Sequence, residues 1–109
     1  MKHITYAQKS LLVGDAAADA LTEYAAAVAA HATADTVTLS AYGADGADVE
    51  ATFVLDAGVV IMAETTTSSI PEPDNDEAVE YMRSRTRMLN APPPSRPDDP
   101  LELAFLEEY

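Results

Sequence analysis

TVTLSAYGADGADVEATFVL, residues 36–55, determines the fold class of this chain. Every second residue from Val37 to Ala41 is apolar, and this alternation is typical of a strand with one buried face. The GADG sequence at 43–46 predicts a turn, after which the alternation resumes from Val49 to Leu55. Two such strands joined by a short turn predict an antiparallel hairpin.

Upstream of this hairpin, the sequence predicts β structure followed by a helix. Ile4–Tyr6 and Ser10–Val13 are rich in β-branched and aliphatic residues, and form either one bent strand or two short strands. A helix is predicted from Ala16 to His31, with Asp15 as its N-cap. Its predicted buried stripe consists of Ala17, Ala20, Leu21, Tyr24 and Val28.

Downstream of the hairpin, a third strand and a second helix are predicted. Val59 to Ala63 is apolar on both faces, which favours a central strand. A surface loop then leads to a helix from Asp76 to Leu89, with Asn90 as its C-cap. The predicted buried face of this helix consists of Ala78, Val79, Met82, Thr86 and Leu89.

These elements predict an α+β domain over residues 1–90. Its expected architecture is a two-layer sandwich in the order β(β)αβββα, in which an antiparallel sheet of about four strands carries both helices on one face. The predicted open face of the sheet bears Thr38, Ser40, Tyr42, Glu50, Thr52 and Val54.

A proline-rich spacer at 91–97 separates this domain from a short acidic segment at 98–109, which is predicted to form an amphipathic helix. Leu101, Phe105 and Leu106 would be exposed to water on such a helix, so we expect the segment to dock. The segment has three candidate docking partners, namely its own domain, a second protomer or another protein.

The charge balance restricts the classes of partner. Six Lys and Arg residues against 19 Asp and Glu residues give a formal net charge of −13, which repels nucleic-acid phosphates and anionic lipids. A cationic protein remains a compatible partner. The chain has no cysteine and no long apolar stretch, so we expect no disulfide and no membrane segment, and we predict a cytoplasmic protein.

Motifs for catalysis or cofactor binding are absent from the sequence, and no metal or cofactor is predicted. Lys9, Glu64, Arg83 and Arg87 are the residues that would serve as polar anchors in a pocket or as an anion site. For the arginines, we favour the alternative that they balance the helix C-terminus and pair with acids of the same chain.

The leading functional hypothesis is therefore a small acidic interaction or accessory protein that forms a homodimer through its C-terminal segment. A small enzyme or ligand-binding domain, with a pocket between the sheet and the helices, is the first alternative. An acidic mimic of nucleic acid that inhibits a basic partner is the second.

Overall fold

A computed structural model describes residues 1–92 and confirms the predicted α+β fold class. A single antiparallel sheet of five strands carries two helices on one face. The elements in chain order are β1 (Lys2–Tyr6), β2 (Lys9–Val13), α1 (Asp15–Ala30), β3 (Asp35–Tyr42), β4 (Asp48–Leu55), β5 (Ile61–Thr65) and α2 (Asp76–Asn90).

The strands are arranged in the order β4-β3-β2-β1-β5, so the prediction of a central third strand is wrong. Among the described strands, β5 lies at an edge and pairs with β1 alone, in the register Ile4↔Ala63. Its apolar character suggested burial on both faces, yet Val60 just before it is 79% exposed and Met62 within it is 49% exposed.

Two separate strands form the β structure before α1, which resolves the question left open by the sequence. β1 and β2 pair as a hairpin with Tyr6 opposite Lys9, and Ala7-Gln8 forms the turn. Ala7 adopts φ 57°, a value that tight hairpin turns require but that glycine supplies more readily. The sequence signal was weak because alanine occupies this position.

The pairing between β2 and β3 is limited to one position, Leu12↔Tyr42. β2 ends at Val13, one residue past this pair, so the edge of β3 from Ser40 back to Asp35 lies beyond the end of β2. At Ser40, the Asn75 side chain takes the place of a neighbouring strand. The Asn75 side-chain amide donates to the Ser40 carbonyl at 2.9 Å, and its Oδ1 accepts from the Ser40 N–H at 2.8 Å. One side chain therefore satisfies the strand's two exposed backbone groups at this position.

The β3–β4 hairpin also approaches β1 through side-chain contacts. The Tyr6 ring packs edge-to-face on Phe53 with centroids 5.4 Å apart, and its hydroxyl donates to the Val54 carbonyl at 2.7 Å. β1 and β4 thus touch although β2 and β3 separate them in the sheet order. The result is a strongly curved sheet with a concave inner face.

The core lies between this concave face and the helices. The predicted buried stripe of α1 is confirmed, and Leu21, Tyr24 and Val28 are completely buried. In α2, Val79 and Met82 are buried as predicted, whereas Ala78, Thr86 and Leu89 are only partly buried. The alanines of α1 allow close packing because they place little side-chain volume between the helix and its neighbours.

The helix ends differ from the prediction in two ways. Gly14, not Asp15, is the N-cap of α1, and the Asp15 carboxylate instead lies 2.8 Å from the amino group of Met1. Asn90 is the last residue of α2, and Ala91 is its C-cap. The Asp15 contact joins residues that are distant in sequence, so helix-capping patterns could not anticipate it.

The C-terminus of α1 ends in a Schellman motif that the sequence did not reveal. The Thr33 N–H bonds to the Val28 carbonyl at 3.2 Å and the Ala32 N–H to the Ala29 carbonyl at 3.3 Å, with Ala32 in the left-handed region at φ 52°. Glycine normally occupies this position because a Cβ atom is unfavourable there.

We predict that Ala32→Gly raises the free energy of unfolding by roughly 0.5–1 kcal/mol, because removal of the Cβ relieves the left-handed conformation. Urea denaturation measures the change. Ala29→Gly, in an exposed right-handed position of the same helix, is the matched control and should lower it by about 1 kcal/mol. A destabilised Ala32→Gly protein would contradict this helix end.

Candidate functional site

A groove of about 650 Å³ opens on the concave side of the sheet between β2 and β4. We call it the β2–β4 groove. Its apolar surface comes from side chains on the same sheet face as the core, and the β3–β4 turn closes one end. Its lining residues include Tyr6, Lys9, Leu11, Val49, Ala51 and Phe53.

Along this groove runs the outer edge of β4, which has no strand partner within residues 1–92. In the β3–β4 hairpin, the Gly43 N–H bonds to the Ala47 carbonyl, so the hydrogen-bonded pairs of the ladder fall on odd-numbered residues. The backbone N–H and C=O groups of Glu50 and Thr52 therefore point away from β3. Both residues line the groove.

The groove carries one cation and two acids. Lys9 is exposed and makes no ion pair within residues 1–92, whereas the other lysine, Lys2, binds Asp19 at 2.7 Å. Asp45 lies in the turn, where its carboxylate accepts the Ala47 N–H at 3.1 Å, and Glu50 is exposed on β4. The groove is therefore amphipathic, with a slight excess of negative charge.

A second polar cluster joins α1, β3 and α2 around Asp35. The Oδ2 atom of Asp35 accepts hydrogen bonds from the hydroxyls of Tyr24 at 2.5 Å and Tyr81 at 2.6 Å, and Oδ1 accepts the Thr36 N–H at 2.7 Å. Arg85 donates from Nε to the Tyr24 hydroxyl at 3.4 Å. We call these residues the Asp35 cluster.

The cluster stabilises the ionised carboxylate of Asp35 and the protonated phenol of Tyr81. Partial burial alone would raise the pKa of Asp35, but the hydrogen bonds from Tyr24, Tyr81 and Thr36 outweigh burial and lower it. The hydrogen bond to Asp35, with partial burial, raises the pKa of Tyr81 to about 12. Tyr81 therefore stays neutral near pH 7 and is unsuited to act as a base or nucleophile.

The Asp35 cluster is consequently a structural contact between elements. Both carboxylate oxygens already accept bonds from protein groups, and the Tyr24 and Tyr81 rings pack edge-to-face with centroids 6.1 Å apart. Its effect is to fix α2 against α1 and β3, which also positions Asn75 at the start of α2.

The predicted anchor residues do not converge on one site. Lys9 lines the β2–β4 groove, whereas Glu64 pairs with His3 on the opposite face of the sheet. Arg83 and Arg87 are exposed on α2, where Arg87 lies 3.9 Å from Glu80. Leu101, Phe105 and Leu106 lie outside the described residues.

The residues that shape the groove had only a weak signal in the sequence. Tyr6 ends a predicted strand and Phe53 belongs to the alternating segment from Val49 to Leu55, but nothing local indicates that their rings meet. Asn75 stands next to a helix start, where Asn suggests a cap. Its actual partner, Ser40, is 35 residues away.

Comparisons with known proteins supply no function: no protein-family model, curated protein or solved structure matches this chain. In the part of the chain that the structure describes, neither helix is long and apolar enough to cross a membrane. The same residues contain no group of His, Asp and Glu side chains arranged to hold a metal ion.

We predict that Asp35→Asn lowers the free energy of unfolding at pH 7 by about 1–3 kcal/mol, because it removes a carboxylate that two phenols and a backbone N–H bond. Chemical denaturation measures this loss. Asp48→Asn, at an exposed position, removes the same charge and should change stability little.

The pH dependence of this loss tests the electrostatic cause. Because the pKa of Asp35 is lowered in the folded state, its contribution is complete above the unfolded value of about 3.9 and disappears as the pH falls through the folded value. The stability difference between the wild type and Asp35→Asn should therefore shrink only under acidic conditions. A difference that grows on acidification would contradict it.

Proposed function

We propose that this chain is a non-enzymatic interaction protein that binds an extended segment of a cationic partner in the β2–β4 groove. The observation that supports this proposal is that three features occur together in the groove. An apolar wall, a β4 edge that no other described strand pairs with and a slight excess of negative charge meet there. When an extended peptide adds to a sheet edge, the apolar wall supplies pockets for its side chains and the strand edge supplies backbone hydrogen bonds.

The backbone of the β4 edge supports binding of an extended chain. Glu50 and Thr52 direct their N–H and C=O groups away from β3, at the spacing that a further antiparallel strand requires. The Val54 carbonyl at the end of this edge is already bonded to Tyr6. The part of the β4 edge that can pair with a partner strand is therefore short, and it ends before Val54.

Charge supports a cationic segment rather than an acidic one. Asp45 and Glu50 outnumber Lys9 in the groove, and the whole chain carries a net charge of −13. Long-range attraction would accelerate the encounter with a basic partner, while the apolar wall and the edge would supply the short-range selection. The alternation Val49, Ala51 and Phe53 suits a partner whose apolar residues recur at every second position.

The segment 98–109 is the competing occupant of this groove. Leu101, Phe105 and Leu106 would match the apolar wall, and acidic side chains next to them would reach Lys9 but meet Asp45 and Glu50. Docking on its own domain or on a neighbouring protomer thus remains a proposal that charge supports less well than a basic partner.

A small-molecule ligand is the second candidate function. A volume of about 650 Å³ lies within the usual range of roughly 300–1,000 Å³ for ligand pockets. Lys9 would select an apolar ligand that carries an acidic group. The groove lies between two strands rather than between the sheet and the helices, so its position differs from that of the pocket predicted from the sequence.

A peptide titration tests the proposed function. We predict that a heptapeptide of alternating lysine and valine binds the full chain and shifts the NMR amide signals of Glu50 and Thr52, whereas the glutamate-valine counterpart does not. Glu50→Lys should weaken binding of the basic peptide by about three- to tenfold, because it reverses a charge at the edge of the site.

Glu23→Lys, on the exposed surface of α1, is the matched control because it changes the net charge equally. It should leave the affinity nearly unchanged. Equal weakening by both variants would mean that the net negative charge of the chain, and not the groove, attracts the peptide. Stronger binding of the acidic peptide would instead favour the segment 98–109 as the occupant.

A further inference from the structure

The second free edge of the sheet has the features of a self-association surface. β5 pairs with β1 on one side and with no described strand on the other, and four of its five residues are exposed. Natural sheets usually block such an edge with lysine, proline or a bulge. β5 contains none of these residues, and Glu64 is its only charge.

The backbone groups of β5 that face outward follow from the hairpin geometry. A two-residue turn closes on a hydrogen-bonded pair, here Tyr6 and Lys9, so the even-numbered residues of β1 bond to β2. His3 and Thr5 therefore bond to β5, through their register partners Glu64 and Met62. The intervening residues Ile61, Ala63 and Thr65 direct their N–H and C=O groups to the free side.

We infer that two copies of this chain associate through β5, antiparallel and with Ala63 opposite Ala63 across a two-fold axis, to form one continuous sheet. A two-fold interface requires a surface that is complementary to itself. In this register Ile61 lies opposite Thr65 of the second copy, so every outward-facing backbone group of the strand finds a partner.

Charge and length select this register over its neighbours. With Ala63 at the centre, Glu64 lies opposite Met62 of the second copy, which places an apolar side chain against the only charge of the strand. A register centred on Glu64 would set two carboxylates directly opposite each other, which is unfavourable. A register centred on Met62 would leave Thr65 without a partner.

Apolar side chains that are exposed next to this edge would lose contact with water when the two copies associate. Val60 is 79% exposed and Met62 is 49% exposed. A shallow cleft of about 220 Å³ beside Ile61, between α1 and the β4–β5 connection, would receive side chains of the second copy. Since short paired strands bury little area, we expect a weak dimer that forms at high protein concentration.

The net charge of each copy gives this dimer a characteristic salt dependence. Two chains of charge −13 repel each other, and the edges that meet contribute backbone and apolar contacts rather than ion pairs. Added salt screens the repulsion. The dimer should therefore tighten as the salt concentration rises, whereas an interface built on ion pairs would weaken.

Sedimentation equilibrium of the full chain over a concentration and salt series tests the inference. Ala63→Lys places two cations opposite each other, and Ala63→Gln is the neutral control of similar size. We expect dimers for the wild type and Ala63→Gln, and at least about tenfold weaker association for Ala63→Lys. Ala63→Pro removes an outward N–H without touching the β1 ladder and should also be monomeric.

The combined variant Leu101→Asp, Phe105→Asp and Leu106→Asp separates this edge from the C-terminal segment. A dimer that persists in this variant and is lost in Ala63→Lys supports the β5 interface. A wild type that stays monomeric at every concentration, a dimer that survives Ala63→Lys, or association that weakens with salt would overturn it. Circular dichroism checks that each variant is folded. If Ala63→Pro is unfolded, the test rests on the result for Ala63→Lys.

Discussion

The single backbone pair between Leu12 and Tyr42 is the constraint on which the rest of this structure depends. Because β2 ends at Val13, one residue past this pair, most of the β3 edge needs another partner. The Asn75 amide bonds both backbone groups of Ser40. With little backbone pairing to β2, the β3–β4 hairpin is held instead by side-chain contacts with β1, where Tyr6 meets Phe53. The groove lies where this hairpin approaches β1 and β2.

The same constraint gives the two edges of the sheet different surroundings. The β4 edge lies in a concavity with apolar walls and charges of both signs, which suits a segment of another protein. The β5 strand carries one charged side chain, Glu64, and its edge is complementary to itself, which suits a second copy. Binding at one edge does not require binding at the other edge, so the two proposed interactions are physically independent.

Sequence patterns predicted the fold where the relevant physics is local. Alternation at 37–41 and the helical stripe around Leu21 and Tyr24 both reflect burial of one face, and both were confirmed. The position of β5 was wrong because apolar character alone does not distinguish a central strand from an uncovered edge. The groove was missed because it is made by contacts such as Tyr6 with Val54, which join residues far apart in the chain.

Amide hydrogen exchange along β3 tests the central claim most directly. Val37, Leu39 and Ala41 should be protected by pairing with β4, and Ser40 by Asn75, whereas the Thr38 N–H, which points to the same side as Ser40, should exchange rapidly. Equal protection at Thr38 and Ser40 would mean that β3 has a continuous strand partner on that side. Rapid exchange at Ser40 would mean that Asn75 does not hold this edge, and either result would contradict the account.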